Sequence, residues 1–418
     1  MRVAHISTND YRGGAARAAY RLHESLLRSG AESELVVARK TVVGSHIHGR
    51  SGTVARQLHN FRTVLDSVPK KAYPRRDQGT HFSCGVIGTR HWVREVKKLR
   101  PDIVHLHWVV SGFLDVRDLL RISVPVVWSL HDLWPLTGGC HYPPGQCQRY
   151  RHKCGCCPAL ASNNAHDLSR RLWYHKLRTF REMADLTIVG VSSWMAQRAG
   201  SSSLLGRFPI EVIPNPLDVE LFKPVPRKEA RERLGLPPQQ PIVLFGAMNA
   251  TSDRNKGYPL LLKALEKLPN HDICLCVFGG PATTTSSIHG YPLISVGEIN
   301  DDSVLCDLYC AADVMIVPSI AEAFGQTATE AMACGTPVVA FNATGLKDIV
   351  DHKINGYLAE PYQPADLARG MAWVLASSAR GDPIRQLARR KAVDLVGYDS
   401  VGPKYLQLYR RLVKPSAD

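Results

Sequence analysis

VIPNPLDVELFKPVPRKEARERLGLPPQQPIVLFG, residues 212–246, decides how this chain is divided. A short apolar run at 211–213 gives way to a Pro-rich stretch and the charged segment RKEARERLG, and a fresh apolar run begins at 242–245. Proline removes a backbone donor and pushes its predecessor out of the helical region, so the stretch reads as a link between two folding units. Upstream, apolar runs of strand length lie at 3–6, 35–38, 103–106, 126–130, 186–191 and 211–213; downstream they lie at 242–245, 273–278, 293–296, 314–317 and 338–341. Helical patterns separate them. Continuous apolar runs are what strands buried on both faces require, so each half is expected to be a doubly wound α/β domain with a parallel sheet. The tail from about Asp382 reads as two amphipathic helices.

The length of 418 residues suits two domains of about 200 residues each. They are expected at 1–220 and 221–395, with a C-terminal helix at 396–418 free to cross back to the first. No stretch is long and apolar enough to span a bilayer, and MRVAHISTND runs straight into a strand without a signal-peptide pattern, so the expected location is the cytoplasm. The formal charge of +15 asks for an anionic partner. Residues 56–100 hold eleven Lys or Arg against three acids, and FRTVLDSVPKKAYPRR (61–76) mixes them with Phe61, Val64, Leu65, Val68 and Tyr73. That mixture suits docking on an anionic membrane surface, with a solvated surface as the alternative. Nucleic acid is not the expected partner, because the basic excess lacks interleaved stacking aromatics and any helix-turn-helix pattern.

Open parallel sheets bind ligands beyond the carboxyl ends of their strands, so two such domains facing a cleft should carry their chemistry just after strands. After the run 314–317 comes PSIAEAFGQTATEAMACGTPVVAFNATGLKDIV (318–350). Glu322 falls on a loop and Glu330 on the following helix, and an ionised carboxylate can accept two sugar hydroxyls at once. Between them Ala323, Phe324, Gly325 and Gln326 open the helix, whose free N–H groups can hold a diphosphate. After the run 242–245, the loop NATSDRNKG places Arg254 and Lys256 where fixed cations can meet developing phosphate charge. In the first half, Gly13 and Gly14 follow the first strand and precede a helix with Ala15, Ala18, Ala19, Leu22 and Leu26 on one face. His131 and Asp132 follow the run 126–130, and an imidazole there can donate or accept at neutral pH. In DIVHLHW (102–108), His105 and His107 alternate along a strand, so one packed and one cleft-facing ring are expected.

The stretch from Pro318 to Gly356 resembles the donor site of the family 4 glycosyltransferases, and the likeness extends more weakly over most of the chain. The resemblance implies a GT-B fold of two Rossmann-like domains, retention of anomeric configuration and no catalytic cofactor. It assigns Glu322 to the transferred sugar, Glu330 to the ribose, Lys256 to the diphosphate, the Gly13–Gly14 loop to the donor phosphate and sugar, and His131 to the active-site histidine. FGGP at 278–281 would bring backbone near the nucleotide. Ala247 stands where the family has a strand-end Arg, which leaves Arg254 as the substitute. The implied partners are a UDP-, GDP- or ADP-linked sugar donor and a glycan or lipid-linked acceptor. HDLWPLTGGCHY (131–142) with the cysteines after it resembles bacterial enzymes of exopolysaccharide, capsule and lipopolysaccharide assembly. The alternatives are another GT-B enzyme of the epimerase type, or a basic zinc-stabilised nucleic-acid-binding protein. Glu330 is read as a surface carboxylate, so its loss is expected to leave the fold intact.

Five of the eleven cysteines fall between 140 and 157. Cys140, Cys147, Cys154 and Cys157 are separated by six, six and two residues, a spacing that suits a structural zinc stapling a polar loop, with free thiols or disulfides as alternatives. Cys274, Cys276, Cys306, Cys310 and Cys334 sit in apolar runs and are expected in the core.

Overall fold

A computed structural model describes residues 1–268, 272–280 and 287–413. Pro281 of the FGGP loop and residues 414–418 of the tail lie outside the described residues. The chain divides into two units, Met1–Asn215 with Val401–Asp418, and Pro216–Ser400. The connector after Asn215 groups with the second unit because its backbone is held there. Leu217 N donates to Val396 O at 2.7 Å, and the Arg389 guanidinium donates to the carbonyls of Val219, Phe222 and Ala333.

The first unit carries β1 (Arg2–Asn9), β2 (Glu32–Arg39), β3 (Ile47–His48), β4 (Ile103–Leu106), β5 (Val126–Leu130), β6 (Leu186–Gly190) and β7 (Ile210–Val212). Their order in the sheet is β3-β2-β1-β4-β5-β6-β7, all parallel. The helix Gly14–Arg28 buries Ala16, Ala18, Ala19, Leu22 and Leu26, the stripe that a period of 3.6 produces. Val3, Ile103, Val127 and Val189 pack with Leu22, Leu26, Val401, Tyr405 and Tyr409, so the end of the tail helix Tyr398–Leu412 completes this unit's core.

The second unit carries β8 (Ile242–Gly246), β9 (Cys274–Phe278), β10 (Ser287–Ile288), β11 (Tyr291–Gly297), β12 (Val314–Val317), β13 (Val338–Phe341) and β14 (Gly356–Ala359). The order is β10-β11-β9-β8-β12-β13-β14, parallel except for the short β10–β11 pair. Every residue of β8, β9, β12 and β13 is buried, as unbroken apolar strands between two helical layers must be. In both sheets the winding reverses beside the first strand, between β1 and β4 and between β8 and β12. Loops leaving those strands part in opposite directions and open a crevice at the carboxyl edge.

Candidate functional site

At the reversal point of the second unit, the loops after β8 and β12 are tied together. Ile320 N donates to Asn255 O at 2.8 Å, and Gly257, at φ 71°, passes so close that a Cβ there would lie 1.8 Å from the Pro318 carbonyl oxygen. Only glycine fits. Asp253 caps the turn Arg254–Lys256 through Asn255 N. Lys256 is thereby aimed at β12, where its Nζ lies 2.8 Å from Glu322 Oε2, which Ser319 Oγ also approaches at 3.3 Å. Burial works against the Lys256 charge, yet Glu322 outweighs it and the ammonium is held above its ordinary pKa. Arg254 lies exposed on the same turn.

Glu322 leads into the helix Gln326–Ala333 through buried Ala323 and Phe324 and through Gly325 at φ 114°. A Cβ on Gly325 would lie 2.7 Å from Leu346, so this glycine serves close packing as well as backbone shape. The first helical turn has no side-chain cap, and the amides of Ala328 and Thr329 both donate to Gly325 O at 3.1 Å. Glu330 corrects the expectation of a surface carboxylate. It is 3% exposed, and Tyr309 Oη donates to its Oε2 at 2.9 Å. The reason is that Ala328 to Ala333 are buried without interruption, so this helix has no solvated face for a charge to use.

Two further features escaped the sequence. Tyr309 comes from the helix Asp302–Ala311, and only the tertiary fold brings it to Glu330. Thr344, beside the Glu322 loop, sits at φ 55°, and its buried hydroxyl finds no partner among the described residues. A β-branched residue in that region is strained, and an unpaired buried hydroxyl adds to that cost.

In the first unit, Gly13 at φ 100° precedes the helix that begins at Gly14, again without a side-chain cap. Buried Asp10 anchors this loop by accepting from Thr41 Oγ1 and from the amides of Tyr11, Thr41 and Val42. His131 stands just beyond β5 and is stacked on His107 with ring centroids 5.3 Å apart. Burial pushes His131 down to about 4, so it is neutral at physiological pH. Asp132 turns away from solvent and accepts from Trp108 Nε1 at 2.9 Å, Trp134 N at 2.8 Å and His141 Nδ1 at 2.6 Å. Burial opposes its charge, and His141 with the other donors still holds the carboxyl below its ordinary value. Both His105 and His107 are buried, which corrects the expectation that one would face a cleft.

The cysteine-rich loop is hooked to this strand end through His141. Cys140, Cys147, Cys154 and Cys157 line one cavity of ≈ 20 Å³, room for a single ion-sized body. Gly138 N donates to Cys154 Sγ at 3.2 Å. Cys156 is turned elsewhere, donating to Asn163 O. The tighter ligand clusters among the described residues lie in the two cores: His5, His105 and His107, and Cys306, Cys310 and Cys334, each with its atoms within 4.8 Å of one another. Cys306 and Cys310 thiols donate to the Lys223 carbonyl, as packed core thiols do.

The basic segment is built as an inverted amphipathic helix. In the helix Thr53–Ser67, Asp66 is buried and accepts the amides of Gly85, Val86 and Ile87, while Val54, Leu58, Phe61 and Leu65 face outward. Their spacing of four, three and four puts them on one face, and exposed Val68 continues it. Tyr73 is not part of this face. It packs beside Phe82, and its hydroxyl accepts from Leu168 N.

Comparison with known proteins gives the chain a family and its fold a set of relatives. Residues 12–221 match the family described as Glycosyltransferase Family 4, and residues 226–391 match Glycosyl transferases group 1. The chain is 30% identical over 330 residues to a D-inositol 3-phosphate glycosyltransferase of Xylanimonas cellulosilytica, covering 75% of this chain and 72% of that one. Among solved structures it resembles the sucrose-phosphate synthase of Thermosynechococcus elongatus, with a TM-score of 0.70, 21% identity and 98% of both chains covered. Anabaena Alr3699/HepE, solved with UDP and glucose, superposes with a TM-score of 0.61 at 18% identity, covering 99% of this chain and all of that one. At such identities the structures speak for the fold alone.

Proposed function

Since this chain belongs to glycosyltransferase family 4 and has the GT-B architecture, we propose that it is a retaining hexosyltransferase using a nucleoside-diphosphate sugar, UDP-linked in the first instance. Its acceptor in this reading is a glycan or lipid-linked glycan of bacterial surface polysaccharide assembly. The Lys256–Glu322 pair at the reversal point of the second sheet carries the proposal. Without a donor each charge satisfies the other. When a donor enters, the ammonium passes to a diphosphate oxygen and the carboxylate accepts sugar hydroxyls, so two half-buried groups exchange one partner for a better matched one. The N–H groups at Gln326 add to the diphosphate side, with Arg254 at its rim and Glu330 positioned for the ribose.

As the glycosidic bond breaks, negative charge grows on the diphosphate, and Lys256 with the helix N-terminus stabilises that charge. A phosphate oxygen of the leaving group takes the proton of the attacking hydroxyl on the same sugar face, which retains the configuration. In this reading His131, at the end of β5 in the first unit, is a contact of the transferred sugar. The acceptor side draws support from the outward apolar face of the helix Thr53–Ser67 beside Lys71 and Arg75, a surface suited to an anionic membrane that presents a lipid-linked acceptor. We propose too that Cys140, Cys147, Cys154 and Cys157 close on one structural zinc, supported by the single cavity they share.

A thermal-shift screen of UDP-, GDP- and ADP-sugars tests the donor, followed by nucleoside diphosphate release with and without acceptor. A stabilising donor whose nucleotide is released only with acceptor is expected, with D-inositol 3-phosphate as the comparison acceptor. Sugar conversion on the nucleotide without acceptor would replace this reading with an epimerase.

A further inference from the structure

His131 is the outer end of a file of three hydrogen-bonded imidazoles. Its Nε2 lies 3.0 Å from His107 Nδ1, and His107 Nε2 lies 3.0 Å from His5 Nδ1. The register of β1 against β4 pairs His5 with His105, and alternation along β4 puts His107 on the same sheet face. The file ends in the core, because His5 is fully buried and its Nε2 finds no partner among the described residues. His105 stands beside the file without joining it: its Nδ1 is 2.6 Å from Tyr409 Oη and its Nε2 is 2.8 Å from Ser129 Oγ.

Burial keeps all three rings neutral at physiological pH, holding His5 and His107 well below the ordinary histidine value and His131 at about 4. A neutral imidazole has one donor and one acceptor nitrogen, so the file has a single direction. In the inward direction His131 donates to His107 and His107 donates to His5, which must then carry its proton on Nε2 as a buried N–H with nothing to receive it. In the outward direction His5 donates from Nδ1 to His107, and His107 donates from Nδ1 to His131. Only a bare lone pair is then left unpaired at His5, and unpaired buried acceptors are better tolerated than unpaired donors.

We infer that the file runs outward, so that His5 and His107 act as positioning residues that fix His131 as the Nδ1–H tautomer and make it a hydrogen-bond donor on its free side. No hydrogen bond among the described residues uses His131 Nδ1. For transfer, which rests on the reading of His131 given above, the ring donates to an oxygen of the sugar or leaving group and cannot serve as a base from that atom.

The test is a long-range proton–nitrogen correlation spectrum of the nitrogen-15-labelled full chain at neutral pH, without ligand. Ring signals are assigned from His5→Gln, His107→Gln and His131→Gln variants that keep the wild-type fold by circular dichroism. The expected result is the Nδ1–H pattern for His5, His107 and His131 alike in the wild type. In His107→Leu, which cuts the file, the His131 signals should shift toward the Nε2–H pattern. Should His107→Leu not fold, the wild-type spectrum alone decides. An Nε2–H pattern at His131 in the wild type overturns the inference, as does a signal set shifted by a metal bound to His5, His105 and His107. The spectrum needs no substrate, so the expected pattern in a protein that turns over no nucleotide sugar would uphold the file and remove only the transferase role of His131.

Discussion

The outward-facing stripe of the helix Thr53–Ser67 permits a worked prediction about membrane binding. Phe61 is 60% exposed, Leu58 41% and Leu65 40%. Completing the burial of such side chains in the acyl boundary is worth about 1 kcal/mol apiece, ~3 kcal/mol for the three, which is roughly a hundredfold in partition. Of the cations expected to assist, Lys71 and Arg75 are exposed, whereas Lys70 Nζ donates to Phe82 O at 2.8 Å and half-buried Arg76 reaches the Tyr73 carbonyl. The electrostatic share therefore rests on two charges at about 1 kcal/mol each, roughly thirtyfold together. Two variants separate the shares: Leu58→Ser with Phe61→Ser and Leu65→Ser, and Lys71→Gln with Arg75→Gln. Co-sedimentation with anionic and neutral vesicles at low and high salt should show both losses, with salt abolishing only the second. Tyr73→Phe should have no effect on binding. If the wild type pellets equally with both vesicle types, or if the triple variant binds as the wild type does, the stripe has another purpose and the reasoning fails.

Three further outcomes follow from the site. Glu330→Ala should lower the melting temperature by the equivalent of about 1–3 kcal/mol, because it removes the buried carboxylate that accepts from Tyr309 Oη, whereas Glu330→Gln should recover most of the stability but not nucleotide affinity; an unchanged melting temperature for the alanine variant would contradict the buried pairing. Lys256→Ala should weaken nucleoside diphosphate binding measured by calorimetry, with a further cost from the unpaired Glu322, so that the double variant with Glu322→Gln is more stable than Lys256→Ala alone. Elemental analysis of protein purified under reducing conditions without chelator should find about one zinc per chain, unaffected by Cys156→Ser and lost in Cys154→Ser; metal-free wild-type protein would leave the loop as packed thiols.

Much of the architecture was legible in order along the chain. The unbroken apolar runs named the long strands, because strands buried on both faces tolerate no polar alternation, and only the short β3 and β10 and the late β14 went unread. That Glu322, Lys256, Gly325 and His131 follow strands was also readable, because each comes shortly after an apolar run. Lys256 and Glu322 are sixty-six residues apart, and the sequence could place each after a strand without showing that they meet.

What the tertiary structure alone decided is which face each residue presents and what touches it. Glu330 looked like a surface acid because the sequence shows its charge and not the packing around its helix. Phe61, Val64, Leu65, Val68 and Tyr73 could be read only as apolar members of one basic segment; the fold sorts them, putting Leu58, Phe61 and Leu65 on one exposed face while buried Asp66 on the other collects three backbone amides and Tyr73 packs inward. The imidazole file depends on three strands that are neighbours in the sheet and distant in the chain, β1, β4 and β5. Periodicity is a local property and reports burial only on average, whereas hydrogen-bond partners are set by strand order and register, which emerge when the sheet closes its own pairing.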